Sequence, residues 1–138
     1  MNKELFEILE KDGVDAGLLK AVEGFTAETQ ATELRSRIPE PDCPYYGREI
    51  WNEAIAALIS GRNLLLSGPK ATGKNILCEN LAKLFMRPVW DVSFHVGMDA
   101  SYMIGADSFD GSKVVFKPGP VFLAAKYGGF AVLDEINM

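Results

Sequence analysis

Residues 68–75 read Gly-Pro-Lys-Ala-Thr-Gly-Lys-Asn, and residues 130–135 read Phe-Ala-Val-Leu-Asp-Glu. The first segment is a glycine-bracketed loop that ends on a lysine. Its glycines allow main-chain N–H groups to turn toward phosphate oxygens, and Lys74 can reach the outer phosphates of a nucleotide. A helix starting at that point would add its positive end. The candidate anion-binding residues are therefore Gly68, Pro69, Lys70, Ala71, Thr72, Gly73, Lys74 and Asn75. Asn75 stands where a serine or threonine hydroxyl normally meets Mg2+. Its amide oxygen is a possible hard ligand, but a longer one whose other arm is a donor. The second segment places a carboxylate pair at the end of an apolar run. Asp134 could hold Mg2+, and Glu135 could polarise a water as general base. Such a pair is common at strand ends and gains meaning from the loop upstream. The adjacent glutamate favours hydrolysis over transfer to a bound acceptor, because only hydrolysis needs a positioned water.

These groups need elements to hold them. Asn63–Ser67 is a short apolar run, the pattern of a strand buried on both faces. After the loop, Ile76, Leu77, Leu81, Leu84 and Phe85 form a helical stripe that Pro88 stops. Residues 89–94 alternate like a strand. Residues 95–118 read as loop, with Asp110-Gly111 as a hairpin turn between 108–109 and 113–116. Pro118-Gly-Pro120 opens a helix through Phe122–Ala125, and Gly128-Gly129 ends it. Phe130–Leu133 is a further buried strand. The alternation predicts an α/β fold, a parallel sheet with flanking helices. Upstream, Trp51, Ala54, Ile55, Leu58 and Ile59 lie at helical spacing, and Gly61 follows. Three prolines at 39, 41 and 44 read as a linker or extended wrap. Residues 3–11 read as an amphipathic helix, punctuated by Gly13 and Gly17. A second helix is expected over 26–37 with Thr26 as N-cap. The expected organisation is a helical accessory segment, 1–40, followed by a nucleotide-binding part, 41–138.

Composition bounds the rest. The 138 residues carry a net charge of −5, which argues against a general polyanion binder. The acidity lies in residues 1–62, with 7 basic and 12 acidic side chains, while residues 63–138 balance at 7 and 7. Lys113, Lys117 and Lys126 are scattered, so nucleic acid is not an expected partner. Two cysteines and one histidine cannot build a disulfide framework or a typical zinc site. The N-terminus lacks the pattern of a secretory signal, and no run is long enough for a membrane helix. A cytoplasmic protein is expected.

Gly68, Pro69, Thr72, Gly73 and Lys74, with Asp134-Glu-Ile-Asn137 and the hairpin followed by Lys117-Pro-Gly-Pro120, resemble the AAA+ ATPases of the MoxR-type, dynein-related branch. The resemblance covers about residues 45–138. It implies a P-loop NTPase sheet, here truncated after the Walker B strand, with ATP and Mg2+ as ligands. It implies Lys74 and Glu135 as catalytic residues and Asn75 and Asp134 as metal ligands. The stretch at Tyr46-Gly47-Arg48 resembles the family segment bordering the adenine, which makes Gly47 a binding residue. Tyr45 and Tyr46 are as compatible with exposure as with flanking the base. The resemblance also implies a hexameric homo-oligomeric ring that remodels protein clients or assists complex and cofactor assembly, often with a von Willebrand A-type partner. The family's next strand, lying between 63–67 and 130–134, its arginine finger and its helical lid would follow residue 138. The chain is therefore expected to be the N-terminal portion of a longer ATPase, with little turnover alone. The alternative is a nucleotide-binding regulatory or scaffolding module without hydrolysis, which Asn75 supports. A small-molecule kinase on the same scaffold would need lid arginines that the chain does not display.

Overall fold

The structure, a computed structural model, describes residues 3–28 and 32–136. Helix α1 spans Lys3–Lys11 and buries Leu5 and Leu9, one turn apart, with Glu4 in its first turn and Lys11 in its last. Those charges complement the helix dipole. Helix α2 spans Ala16–Glu28. Asp15 opens it by accepting from the Leu18 N–H at 3.0 Å. Helix α3 spans Arg48–Ile59 and helix α4 spans Lys74–Leu84. The buried faces of all four meet in one core, formed by Leu9, Leu19, Val22, Trp51, Ile55, Leu77, Leu81, Leu84 and Phe85 among others. Helices α1 and α2 thus share one core with α3 and α4, which follow the prolines.

The helix expected over 26–37 takes a different form. Thr26 lies inside α2, where its hydroxyl donates to the Glu23 carbonyl at 3.0 Å instead of capping a helix start. Burial of Leu19 and Val22 outweighs the weak helix preference of Gly17 and Gly24. A separate 3-10 turn covers Thr32–Arg37 and is kinked at Leu34, φ −119°. Residues 29–31 of the expected helix lie outside the described residues, as do Asn137 and Met138.

Strand β1, Val89–Ser93, pairs in parallel with a later strand over Phe130–Asp134, Val89 facing Phe130 and Ser93 facing Asp134. The crossover between them carries helix α5, Ala100–Ile104, strands β2, Gly105–Phe109, and β3, Val114–Pro118, and helix α6, Pro120–Tyr127. The Phe130–Asp134 strand is therefore β4. Strands β2 and β3 form the expected antiparallel hairpin. Its turn is set by Asp110, which accepts from the N–H groups of Lys113 and Ser112 at 3.0 and 2.9 Å. Those bonds hold the Asp110 carboxyl below its usual range. Helix α5 was not expected within the loop-like 95–118. Asp99 caps it by accepting from the Ser101 and Tyr102 N–H groups. Helix α6 packs beside β1, with Tyr127 stacked on Trp90 at 6.2 Å.

The architecture is mixed α/β, a two-stranded parallel sheet with flanking helices. The expected strand at 63–67 does not form. Leu64 and Leu66 pack against the core, but Leu65 is 81% exposed. No described strand runs alongside it, and an apolar run becomes a strand only when a neighbour satisfies its backbone.

Candidate phosphate-binding site

The loop at 68–73 connects that extended segment to α4. Gly73 is the N-cap of α4 and sits in the left-handed region at φ 83°. Ala71 also has positive φ, 61°, a conformation that costs a non-glycine residue of order 1 kcal/mol. Together they reverse the backbone so that it enters the helix with its N–H groups forward. The first helical bond runs from the Leu77 N–H to the Gly73 carbonyl at 2.9 Å, so earlier N–H groups point out of the helix start. Lys74 folds back across the loop. Its Nζ donates to the Gly68 and Pro69 carbonyls at 3.0 and 2.7 Å, and the Thr72 hydroxyl donates to the same Pro69 carbonyl at 3.0 Å. Carbonyls drawn toward the lysine leave this ammonium at the loop's centre, beside the positive end of α4. That arrangement attracts an anion with several acceptor oxygens.

Alongside α4 lies a cavity of about 500 Å³. Asn75, Cys78 and Glu79 line it from the helix, and Asp91 and Asp134 from the sheet. The structure therefore brings Asn75 and Asp134, far apart in sequence, to one space. Burial pushes the Cys78 thiol up, and the negative charges of Asp91, Asp134 and Glu79 push it further. Arg37 forms part of the opposite wall. Its Nε donates to the Val89 carbonyl at 3.1 Å, and its guanidinium lies 4.7 Å over the Trp90 ring.

Other expected residues lie elsewhere. Glu135 is exposed and absent from the cavity lining; its backbone has φ 54°, and its N–H donates to the Asp134 carboxylate at 2.9 Å. Lys70 is exposed on the loop. Gly47 lines a second, smaller pocket of about 380 Å³ with Asp12, Arg48, Glu49 and Ile50. Its N–H donates to the Asp12 carboxylate at 3.0 Å. Sequence reasoning gave no site role to Asp12, Arg37, Cys78 or Asp91. None belongs to a motif, and only the fold places them. Asp91 alone carried a signal, as a carboxylate in an otherwise apolar strand.

ATP with Mg2+ fits the residues present. The loop offers Lys74 and outward N–H groups to phosphates, while Asn75 and Asp134 offer hard oxygen donors across one cavity. Among the described residues no cluster of three His, Cys, Asp or Glu side chains is arranged to hold a metal alone. Mg2+ is commonly held by one or two carboxylates together with phosphates and water.

A reversed glycine loop capping a helix, with a parallel strand that ends in acids across a cavity, is the arrangement of a P-loop NTPase fold. The chain belongs to the AAA domain family, dynein-related subfamily, which it matches over residues 63–138. It is also similar to the uncharacterized protein YojN of Bacillus subtilis, 39% identical over 90 residues that make up 62% of this chain and 30% of that protein. An uncharacterized protein of Staphylococcus saprophyticus is 35% identical over 94 residues, 64% of this chain and 36% of the relative. One from Staphylococcus aureus is 33% identical over the same shares. The chain thus spans about a third of the length of these curated relatives. The match supports nucleotide binding by this domain. Among the described residues no helix is long and apolar enough to cross a membrane.

Proposed function

We propose that this chain is the nucleotide-binding portion of a MoxR-type AAA+ ATPase. The observation that carries the reading is the Lys74 ammonium held over the Gly68 and Pro69 carbonyls at the start of α4, with Asn75 one residue on and Asp134 lining the same cavity. Lys74 and the N–H groups of the loop residues other than Pro69, from 68 to 73, bind and orient the β- and γ-phosphates. Bound Mg2+ supplies charge neutralisation at those phosphates, with Asn75 and Asp134 as its protein ligands. Glu135 orients the attacking water and takes its proton. Gly47 borders the base. Residues 41–138 form the ATPase portion and 1–40 the accessory segment, a division of role rather than of core. The full-length protein works as a cytoplasmic hexameric ring in protein remodelling or complex and cofactor assembly, with a von Willebrand A-type partner. The isolated chain turns ATP over weakly, because no described strand lies beside the segment leading into the loop to fix it.

A second reading, a nucleotide-binding regulatory module without hydrolysis, has two observations in its favour. Asn75 replaces the usual hydroxyl, and the Glu135 side chain stands apart from the cavity. Calorimetry of the purified chain with ATP, with and without Mg2+, tests both. The ATPase reading expects binding that strengthens with Mg2+ and is lost in Lys74→Ala. Binding indifferent to Mg2+ would favour the regulatory module. Binding unchanged in Lys74→Ala would overturn both.

A further inference from the structure

The phosphate loop is not held by its own hydrogen bonds alone. Residues 38–47, rich in proline, run as a strap from β1 along α4 to the start of α3. Four anchors fix this strap. Before it, Arg37 holds the edge of β1 at the Val89 carbonyl. Glu40 pairs with Lys83 of α4. The Asn80 side chain, 1% exposed, donates its Nδ2 to the Cys43 carbonyl at 3.0 Å. The Trp51 indole, fully buried, donates its Nε1 to the Tyr45 carbonyl at 2.9 Å. The backbone at 43–45 is thus bolted to α4 on one side and to α3 on the other.

The Tyr45 ring, half-buried on the core, reaches from this fixed point to the loop. A methyl group placed on Gly73 would lie 3.3 Å from its Cε2 and 3.6 Å from its Cδ2. A methyl group placed on Gly47 would lie 3.5 Å from Cε1, on the opposite edge. The ring therefore fills the space between two glycines. One is the residue immediately before Lys74, and its left-handed φ of 83° turns the chain into α4. Glycine enters that conformation without strain and leaves it as easily, so a neighbour must fix it there. A rigid aromatic with two soft torsions, fixed at its backbone by buried donors, is a suitable stop.

We propose that Tyr45 is a positioning residue for the phosphate loop. It acts through Gly73, holding the loop so that Lys74 and the outward N–H groups meet an anion together. The inference rests on the nucleotide-binding reading above and deepens it. Its chemistry is that of the polyphosphate, not of the base, since the ring edge lies in the space beside the loop's last glycine. Removing the ring lets Gly73 and Lys74 relax toward the vacated space. A misplacement of about 1 Å can cost an enzymic rate on the order of 10²-fold; for partial relaxation of a binding loop the expected loss is set lower, at about tenfold.

The test measures ATP and inorganic triphosphate binding by calorimetry, in the full chain and in Tyr45→Ala, Tyr45→Leu, Tyr45→Phe and Lys74→Ala. Each is assayed well below its own thermal midpoint, and circular dichroism reports folding. Tyr45→Leu keeps apolar bulk against the core and serves if Tyr45→Ala does not fold. The expected result is a similar loss for both ligands, about tenfold, in the Ala and Leu variants, with Tyr45→Phe restored to the parent value. Three results would overturn the inference while leaving nucleotide binding intact. They are unchanged affinities in Tyr45→Leu, a loss for ATP with triphosphate unaffected, or a Tyr45→Phe no better than Tyr45→Leu. Absence of binding in the parent chain, with Lys74→Ala no different, would instead remove the nucleotide-binding reading and this inference with it.

Discussion

The two flanks of the phosphate loop are held in different ways. Downstream, Gly73 leads into α4, whose Leu77, Leu81 and Leu84 are buried in the shared core and whose Asn80 clips the proline-rich strap. Upstream, Leu64 and Leu66 rest on that core, while Leu65 faces outward and no described strand pairs with the segment. The loop is thus anchored from its helix side. Helix packing and the strap set its shape, and the sheet contributes Asp134 across a cavity rather than support beneath the loop. The shape of the loop and the completion of a sheet beneath it are separable among the described residues.

Two apolar substitutions would break that contrast most directly. Trp51→Ala removes a fully buried indole and the donor that holds the Tyr45 carbonyl. The expected loss is about 3–5 kcal/mol, enough to threaten folding of a marginally stable domain. Leu65→Ser, at a position 81% exposed, is expected to change stability by no more than about 0.5 kcal/mol. Urea unfolding followed by circular dichroism measures both. A Leu65→Ser cost comparable to that of a core residue would mean that the upstream flank is buried in solution, and the contrast would fall.

A smaller effect sharpens the downstream side. The Asn80 amide is buried and donates to two carbonyls, Cys43 at 3.0 Å and Ile76 at 2.9 Å. Asn80→Ala leaves the Cys43 carbonyl without this donor and opens a small void. About 1–3 kcal/mol is the expected cost. The strap should also exchange its amide protons faster at 43–47 than in the parent, while exchange at 63–67 stays the same. Equal changes in both segments would show that the two flanks are mechanically joined.

Much of this arrangement was legible in the residues, though unevenly. The stripe Leu77, Leu81, Leu84 and Phe85 announced α4, and Asp110-Gly111 announced the hairpin turn, because each pattern reports a local period or a local backbone preference. The loop from Gly68 to Lys74 was legible for the same reason. Residues 63–67 were misread because an apolar run says nothing about whether a neighbouring strand lies beside it. The start of α2 at Ala16 was missed because Gly17 and Gly24 hide a helix that the burial of Leu19 and Val22 sustains. Tyr45 and Tyr46 are adjacent and alike in sequence, yet one is half-buried against Gly73 and the other is 62% exposed. Only the packing of the strap tells them apart. The cavity shared by Asn75 and Asp134 was foreshadowed by the pairing of motifs, whereas Cys78 and Arg37 in its wall carried no motif at all.

The smallest predicted effect tests whether the sheet side truly faces α4 across that cavity. Cys78 lies on the helix, and burial is the main reason its thiol is pushed up; Asp91, Asp134 and Glu79 add to this in that order. The thiolate is the reactive form, so a raised pKa slows alkylation at mildly alkaline pH. Asp134→Asn removes one negative charge, lowers the pKa of the Cys78 thiol and so raises its thiolate fraction. A unit charge about 8 Å away in a water-like medium is worth roughly 0.5 kcal/mol, which corresponds to about a twofold faster reaction. The measurement is the iodoacetamide rate at Cys78 in a Cys43→Ser background, with Glu135→Gln as the control because Glu135 is not among the charges acting on this thiol. Acceleration in Asp134→Asn alone places the end of β4 opposite the first turns of α4. Equal rates in all three proteins would separate Asp134 from the helix, leaving the phosphate loop without its partner acid.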